Sequence, residues 1–228
     1  MTNQDLLHLL HCEVVPAIGC TEPIAVALCV ARAKEKLGTE PDRIRVYLSK
    51  NVYKNALAVG IPNTGMTGLP IAIALGATVG KSEYMLEVLR DASPAAVAYA
   101  KEYMLRIPTQ IHINYEAPSI LYIHVVVHKG DQTAQATIMN EHTNFVEANE
   151  VVRVENNENK GKKERSEELS LRRVFDFAME VDTNDISFLQ DGAEMNTAAA
   201  ETSFADQYGH GLGRLLRANT LTATPEME

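Results

Sequence analysis

Leu6, Leu7, Leu10 and Val14 recur at three- and four-residue spacing, which predicts a helix over residues 3–15 that Pro16 closes. A second, strongly apolar helix runs from just after Cys20 to Leu37, where Gly38 ends it. Residues 43–49 then switch to period two, with Ile44, Val46 and Leu48 on one face, as in a half-buried strand. After a loop over residues 60–68, a Gly- and Ala-rich helix is predicted over 69–78, its small residues allowing close packing against a neighbour. Two more helices follow, over 83–90 and 94–106, the latter opened by Ser93 as N-cap with Pro94 behind it.

From residue 110 the period becomes that of strands. Residues 110–115, 120–127, 133–139 and 144–147 are short β-branched or alternating runs, with a Gly130-Asp131 turn between two of them. Helices followed by successive strands predict an α+β fold: a helical N-terminal region, an antiparallel sheet of three to five strands, and C-terminal helices. Residues 156–168 are almost wholly polar and read as an exposed loop. An amphipathic helix over 169–181, a second over 186–206 with a weak point at Gly192, and a glycine-rich junction over 208–213 complete the pattern. The expected organisation is an α+β domain over 1–155, the loop 156–168, and a helical segment 169–228 that begins a second half.

Composition narrows the class. The 228 residues are 46% hydrophobic and 22% charged, enough for a sizeable core. A net charge of −9 without a basic run argues against nucleic acid and anionic membranes as partners. Three cysteines without a pairing pattern, no basic N-terminal region and no apolar run near the ~20 residues of a bilayer span lead to the expectation of a cytoplasmic protein.

Candidate chemistry centres on Gly19-Cys20-Thr21-Glu22-Pro23, where a thiol meets a helix start. Thr21 is expected as N-cap and Glu22 suits the positive end of the helix dipole. Cys20 would then sit at the helix mouth, where unpaired N–H groups favour thiolate. The competing account makes Cys20 a small buried hydrophobe. Cys12 and Cys29, each in an apolar helical run, read as packing residues. Asn51, Lys54 and Asn55, at helix-turn spacing beside the Pro62 to Gly68 loop, could grip the carboxylate and amine of an amino acid; a solvated surface turn is the alternative. His142-Thr143-Asn144 lies between two strands, as a functional loop or a plain turn. The 60–68 loop lacks the Lys-Ser/Thr pair of a phosphate-binding loop, and the histidines and cysteines match no zinc or ferredoxin spacing, so no metal ligands are predicted.

Taken in order, Gly19-Cys20-Thr21-Glu22-Pro23, Asn51-x-x-Lys54-Asn55 and Gly60-Ile61-Pro62-Asn63-Thr64-Gly65 with Gly68 resemble the L-cysteine desulfidase family, related to the serine dehydratase alpha chain. Asn196 and the glycines of residues 208–213 extend the resemblance to about Leu216. It implies α,β-elimination from L-cysteine or L-serine with an oxygen-sensitive [4Fe-4S] cluster as Lewis acid. Cys20 would be the general base, Asn51, Lys54, Asn55, Asn63 and Thr64 would hold substrate, and Thr21, Glu22, His142, Asn144 and Asn196 would support them. Family members carry their cluster cysteines in a second half that is absent here. The chain alone is therefore expected to bind no cluster and turn over no substrate, as a truncation, a shortened gene product or one half of a split enzyme. A homodimer or a separate cluster-bearing half is the expected partner. A non-catalytic amino-acid-binding or thiol-sensing module and a purely structural oligomerisation domain are the alternatives.

Overall fold

A computed structural model describes residues 1–17, 19–147, 169–206 and 211–219. The chain divides into two compact units, Pro16–Glu168 and Met1–Val15 with Leu169–Glu228.

The larger unit is built around one helix. α2 (Thr21–Leu37) is buried along an unbroken run from Pro23 to Ala31 and again at Ala33. A helix apolar on all sides must be covered on all sides. The sheet strands β5 (Tyr122–Lys129) and β6 (Gln132–Met139) cover one side, and α4 (Leu69–Thr78) the other. α4 comes so close that a Cβ on Gly76 would run into the carbonyl oxygen of Ala27 in α2. α5 (Pro94–Arg106) packs on α4 in turn, capped by the Ser93 hydroxyl, which accepts from the amide of Ala96. α2 ends as expected at Gly38, whose φ of 78° is easy for glycine.

The four-stranded sheet has the order β4-β1-β5-β6, with β1 at Arg43–Ser49 and β4 at Thr109–Asn114. Ile44, Val46 and Leu48 of β1 and Ile123, Val125 and Val127 of β5 are fully buried, so the period-two pattern is realised as one core-facing side. The α+β class holds, with one change to the expected sheet. β1 pairs antiparallel with β5 and parallel with β4, Val46 lying opposite both Ile111 and Val125. The chain between β1 and β4 passes through α3 (Lys50–Ala56), α4 and α5, a long crossover that returns it in the same direction. A separate two-stranded hairpin pairs β2 (Gly60–Ile61) with β3 (Met66–Thr67).

Two predicted elements change type. Residues 144–147 form no strand: Phe145 makes a single bridge to Ile138. The helix expected over 83–90 is a 3-10 turn, Ser82–Glu87, broken by Met85 at φ 49°.

In the smaller unit, α1 (Asn3–Glu13) is closed by a capping box in which Thr2 Oγ1 accepts from the Asp5 amide and Asp5 Oδ2 from the Thr2 amide. It packs with α6 (Leu171–Glu180) and α7 (Phe188–Ala205) rather than with the strands that the sequence reading grouped with it. Arg173 of α6 donates to the Met1 carbonyl at 2.9 Å and to Asn3 Oδ1 at 2.5 Å, and His11 stacks on Phe188 at 4.2 Å. α7 continues through Gly192, and α8 (Leu212–Asn219) follows. Leu6 and Phe177 are buried here, whereas Leu171, Phe175 and Met179 are exposed. Cys12, expected to pack, is exposed, with Sγ 3.7 Å from His8 Nε2, because so short a helix buries only Leu6. The polar stretch 156–168 and residues 208–210 of the glycine-rich junction lie outside the described residues.

Candidate functional site

Where β1 ends, Ser49 does two things. Its hydroxyl caps α3 by accepting from the Val52 amide at 3.4 Å and donates to the Ile120 carbonyl at 2.5 Å, tying the β4–β5 loop to the new helix. At the end of β6 the Asn140 amide donates to the Leu121 carbonyl at 3.0 Å, with Asn140 in the left-handed region at φ 72°. Asparagine tolerates that conformation better than most residues. These ties close the walls of a cavity of about 180 Å³ at one end of the sheet, lined by Glu22, Asn51, Val52, Ser119, Ile120, Leu121, Asn140 and His142. Its polar groups come from four elements: the first turn of α2, α3, the β4–β5 loop and the turn after β6.

Glu22 organises the rim. Its Oε1 accepts from Asn55 Nδ2 at 2.9 Å, and its Oε2 accepts from the Cys20 thiol at 3.2 Å and the Thr21 hydroxyl at 3.4 Å. Burial works to raise the Glu22 carboxyl, but the hydrogen bonds from Cys20 and Asn55 and the nearby His142 outweigh it and hold it below the usual carboxylate range. Cys20 responds in the opposite sense. Partial burial first, then the hydrogen bond and charge of Glu22, push its thiol up. This corrects the expectation of a thiolate favoured by the helix mouth: the helix N–H groups are outweighed by burial of the thiol, reinforced by the Glu22 carboxylate. The cap also moves by one residue. Cys20, extended at φ −69° and ψ 134°, is the N-cap, and neither it nor Thr21 supplies a side-chain cap. The sulfur is exposed rather than buried in hydrocarbon.

Gly19, at φ 83°, brings this turn against the β2–β3 loop, since a Cβ there would sit 3.0 Å from Pro62 Cγ. The close approach made possible by glycine is thus to Pro62. Thr64 is buried and structural, its hydroxyl donating to the Ile61 carbonyl at 2.7 Å and accepting from the Met66 amide at 2.9 Å. Asn63 is an exposed turn residue at φ 62°. Of the α3 triplet, Asn51 lines the cavity and Asn55 holds Glu22, whereas Lys54 is exposed and outside the lining. His142 reaches the cavity, while Asn144 pins its turn by donating to the Met139 carbonyl at 3.0 Å. Asn196 lies on α7 in the smaller unit and donates to the Gly192 carbonyl of its own helix at 2.8 Å.

Ser119 and Asn140 are lining residues that the sequence reading missed. The isolated Asn140 after an alternating run was the one signal, a polar residue suited to a left-handed stop. Cys29 is fully buried, its thiol donating to the Ala136 carbonyl at 3.4 Å, and burial pushes it far up. Among the described residues no three His, Cys, Asp or Glu side chains gather where a metal ion could be held, and no helix is long and apolar enough to cross a membrane.

The chain is 48% identical over 219 residues to a UPF0597 protein of Bacteroides thetaiotaomicron, an alignment covering 94% of this chain and 51% of that protein. A UPF0597 protein of Porphyromonas gingivalis is 39% identical over 228 residues, covering 96% and 53%. One of Chromobacterium violaceum is 36% identical over 224 residues, covering 93% and 50%. No protein-family model matches the chain. No solved structure matches it. The chain spans about half the length of the curated relatives it matches, and over that half it is similar to the UPF0597 proteins.

Proposed function

We propose that this chain carries the proton-handling part of a lyase site that eliminates the β-substituent of a small α-amino acid, L-cysteine or L-serine. Support comes foremost from the Cys20 thiol, 3.2 Å from a carboxylate that lines a polar cavity. In the elimination, Cys20 as thiolate takes the Cα proton. The freed electron pair forms the Cα–Cβ double bond as the Cβ–S or Cβ–O bond breaks, and the group leaves as hydrosulfide, or as hydroxide that takes up a proton from solvent to become water. The resulting enamine tautomerises, and water displaces its nitrogen to give pyruvate and ammonia. Glu22 faces the substrate ammonium, and the amides of Asn51 and Asn140 with the Ser119 hydroxyl offer hydrogen bonds to its carboxylate.

The iron–sulfur cluster implied by the resemblance finds no ligand set here. Cys29 is locked in the core, Cys12 sits beside His8 in the smaller unit, and Cys20 is engaged with Glu22. No step is assigned to the cluster, and the proposal places its ligands outside this chain. The exposed apolar side chains Leu171, Phe175 and Met179 of α6 and Leu212 of α8 support a partner, a second copy or a separate cluster-bearing chain.

Titration calorimetry of the purified chain with L-serine tests the reading. Binding is expected, weakened tenfold or more by Asn51→Ala; a wild-type chain that binds neither L-serine nor L-cysteine overturns it. The second reading, a non-catalytic amino-acid-binding or thiol-sensing module, is favoured by the upward push on Cys20. It expects the same binding, and no turnover when a cluster-bearing partner is supplied.

A further inference from the structure

Glu22 serves two neighbours at once. One oxygen is fixed by Asn55 at 2.9 Å, the other receives the Cys20 thiol at 3.2 Å, and the same carboxylate forms part of the cavity wall with Asn51, Ser119, Asn140 and His142. A thiol beside a fixed negative charge resists ionisation, and a cation that pairs with that charge lifts the resistance. We propose that Glu22 is a gate: in the free site its carboxylate keeps the proton on Cys20, and the α-ammonium group of an entering amino acid, by pairing with that carboxylate, releases the thiol to ionise. The inference rests on the functional reading above and adds the condition under which its base becomes available.

The proton has a way out, since Cys20 is exposed and can lose it to water. The groups acting on the pair are few. Glu22 comes from the first turn of α2, His142 faces it from the turn after β6, and α3 contributes the neutral Asn55 while its Lys54 stands exposed outside the cavity. Asn55 is a positioning residue, because by holding Oε1 it keeps Oε2 turned toward the thiol. Since the thiolate is the reactive form, such a gate leaves the exposed sulfur inert until a ligand with an ammonium group has arrived. The ligand class is therefore an α-amino acid with a free amine; a carboxylic acid alone cannot open the gate.

The test follows thiolate ultraviolet absorbance across pH in the whole chain, with Cys20→Ser as the subtraction control for Cys12 and Cys29. Glycine, an amino acid without a leaving group, is the probe, acetate is the control, and calorimetry follows glycine binding. Below the wild-type midpoint, Glu22→Gln is expected to raise Cys20 thiolate about tenfold, the equivalent of one pH unit. Glycine is expected to do the same in the wild type and nothing further in Glu22→Gln, and acetate to do nothing. Glu22→Asp, which keeps the charge on a shorter arm, should fall between, and Asn55→Ala should raise thiolate more than Asn55→Gln. Glycine binding without a thiolate change overturns the gate and leaves the functional reading standing. Absence of amino-acid binding, with the Glu22→Gln effect intact, overturns the functional reading and with it the gate's opening. Unchanged thiolate in a folded Glu22→Gln overturns the gate outright.

Discussion

Cys20 and Glu22 show how burial and a close charge together override a helix terminus. A helix terminus contributes partial charges, and they are outweighed by burial of the thiol together with a full carboxylate charge 3.2 Å away. The position of Cys20 at the start of α2 was legible in the sequence. The direction of its ionisation was not, because it depends first on how the fold buries the sulfur and then on Glu22, whose side chain is held by Asn55, 33 residues away. His124 offers a second case. It is half-buried on β5 between Tyr47 and Tyr122, with Nδ1 3.0 Å from Thr137 Oγ1, and burial pushes its pKa down from the ordinary histidine value of 6.5. A base depressed on folding binds its proton more readily when unfolded. Its stabilising contribution is complete above the unfolded value and is lost as pH falls through the folded one. Urea unfolding is expected to show stability dropping as pH falls below the ordinary histidine value of about 6.5, with a flatter slope in His124→Gln, which can still bond Thr137 but does not titrate.

At the scale of elements, α2, α4 and α5 keep the bounds that apolar spacing, Gly38 and Ser93-Pro94 predict, since caps and periodicity are local signals. Strand direction is not local. Nothing in residues 109–114 records that β4 lies parallel to β1, a fact set by the three helices between them. Close packing of α4 on α2 was foreshadowed by the small residues of α4, but only the structure identifies Gly76 as the point of contact. Gly76→Ala would force backbone apart against Ala27. It is expected to lower stability in urea unfolding, an overpacking cost of about 1–3 kcal/mol outweighing the roughly 1 kcal/mol gained from helix propensity. Gly192→Ala, with nothing near its Cβ, is expected to be neutral or stabilising in the same assay.

For the whole molecule, the grouping of α1 with α6 and α7 joins residues more than 160 positions apart through Arg173, Asn3 and the His11–Phe188 stack. A periodic pattern identifies a helix and its apolar face without naming the surface that covers it. The three cysteines likewise end in separate surroundings, so anaerobic reconstitution with iron and sulfide is expected to leave iron far below stoichiometry; near-stoichiometric iron would show that the thiols can be brought together. By itself the sequence determined the α+β class, the main helices, the buried face of β1 and the helix-start position of Cys20, because each depends on neighbours a few residues away. Tertiary structure decided the parallel β1–β4 pairing, the division into two units, the exclusion of Lys54 from the cavity and the hold of Asn55 on Glu22. Those depend on groups that meet only when distant segments pack, and a linear pattern carries no distance between them.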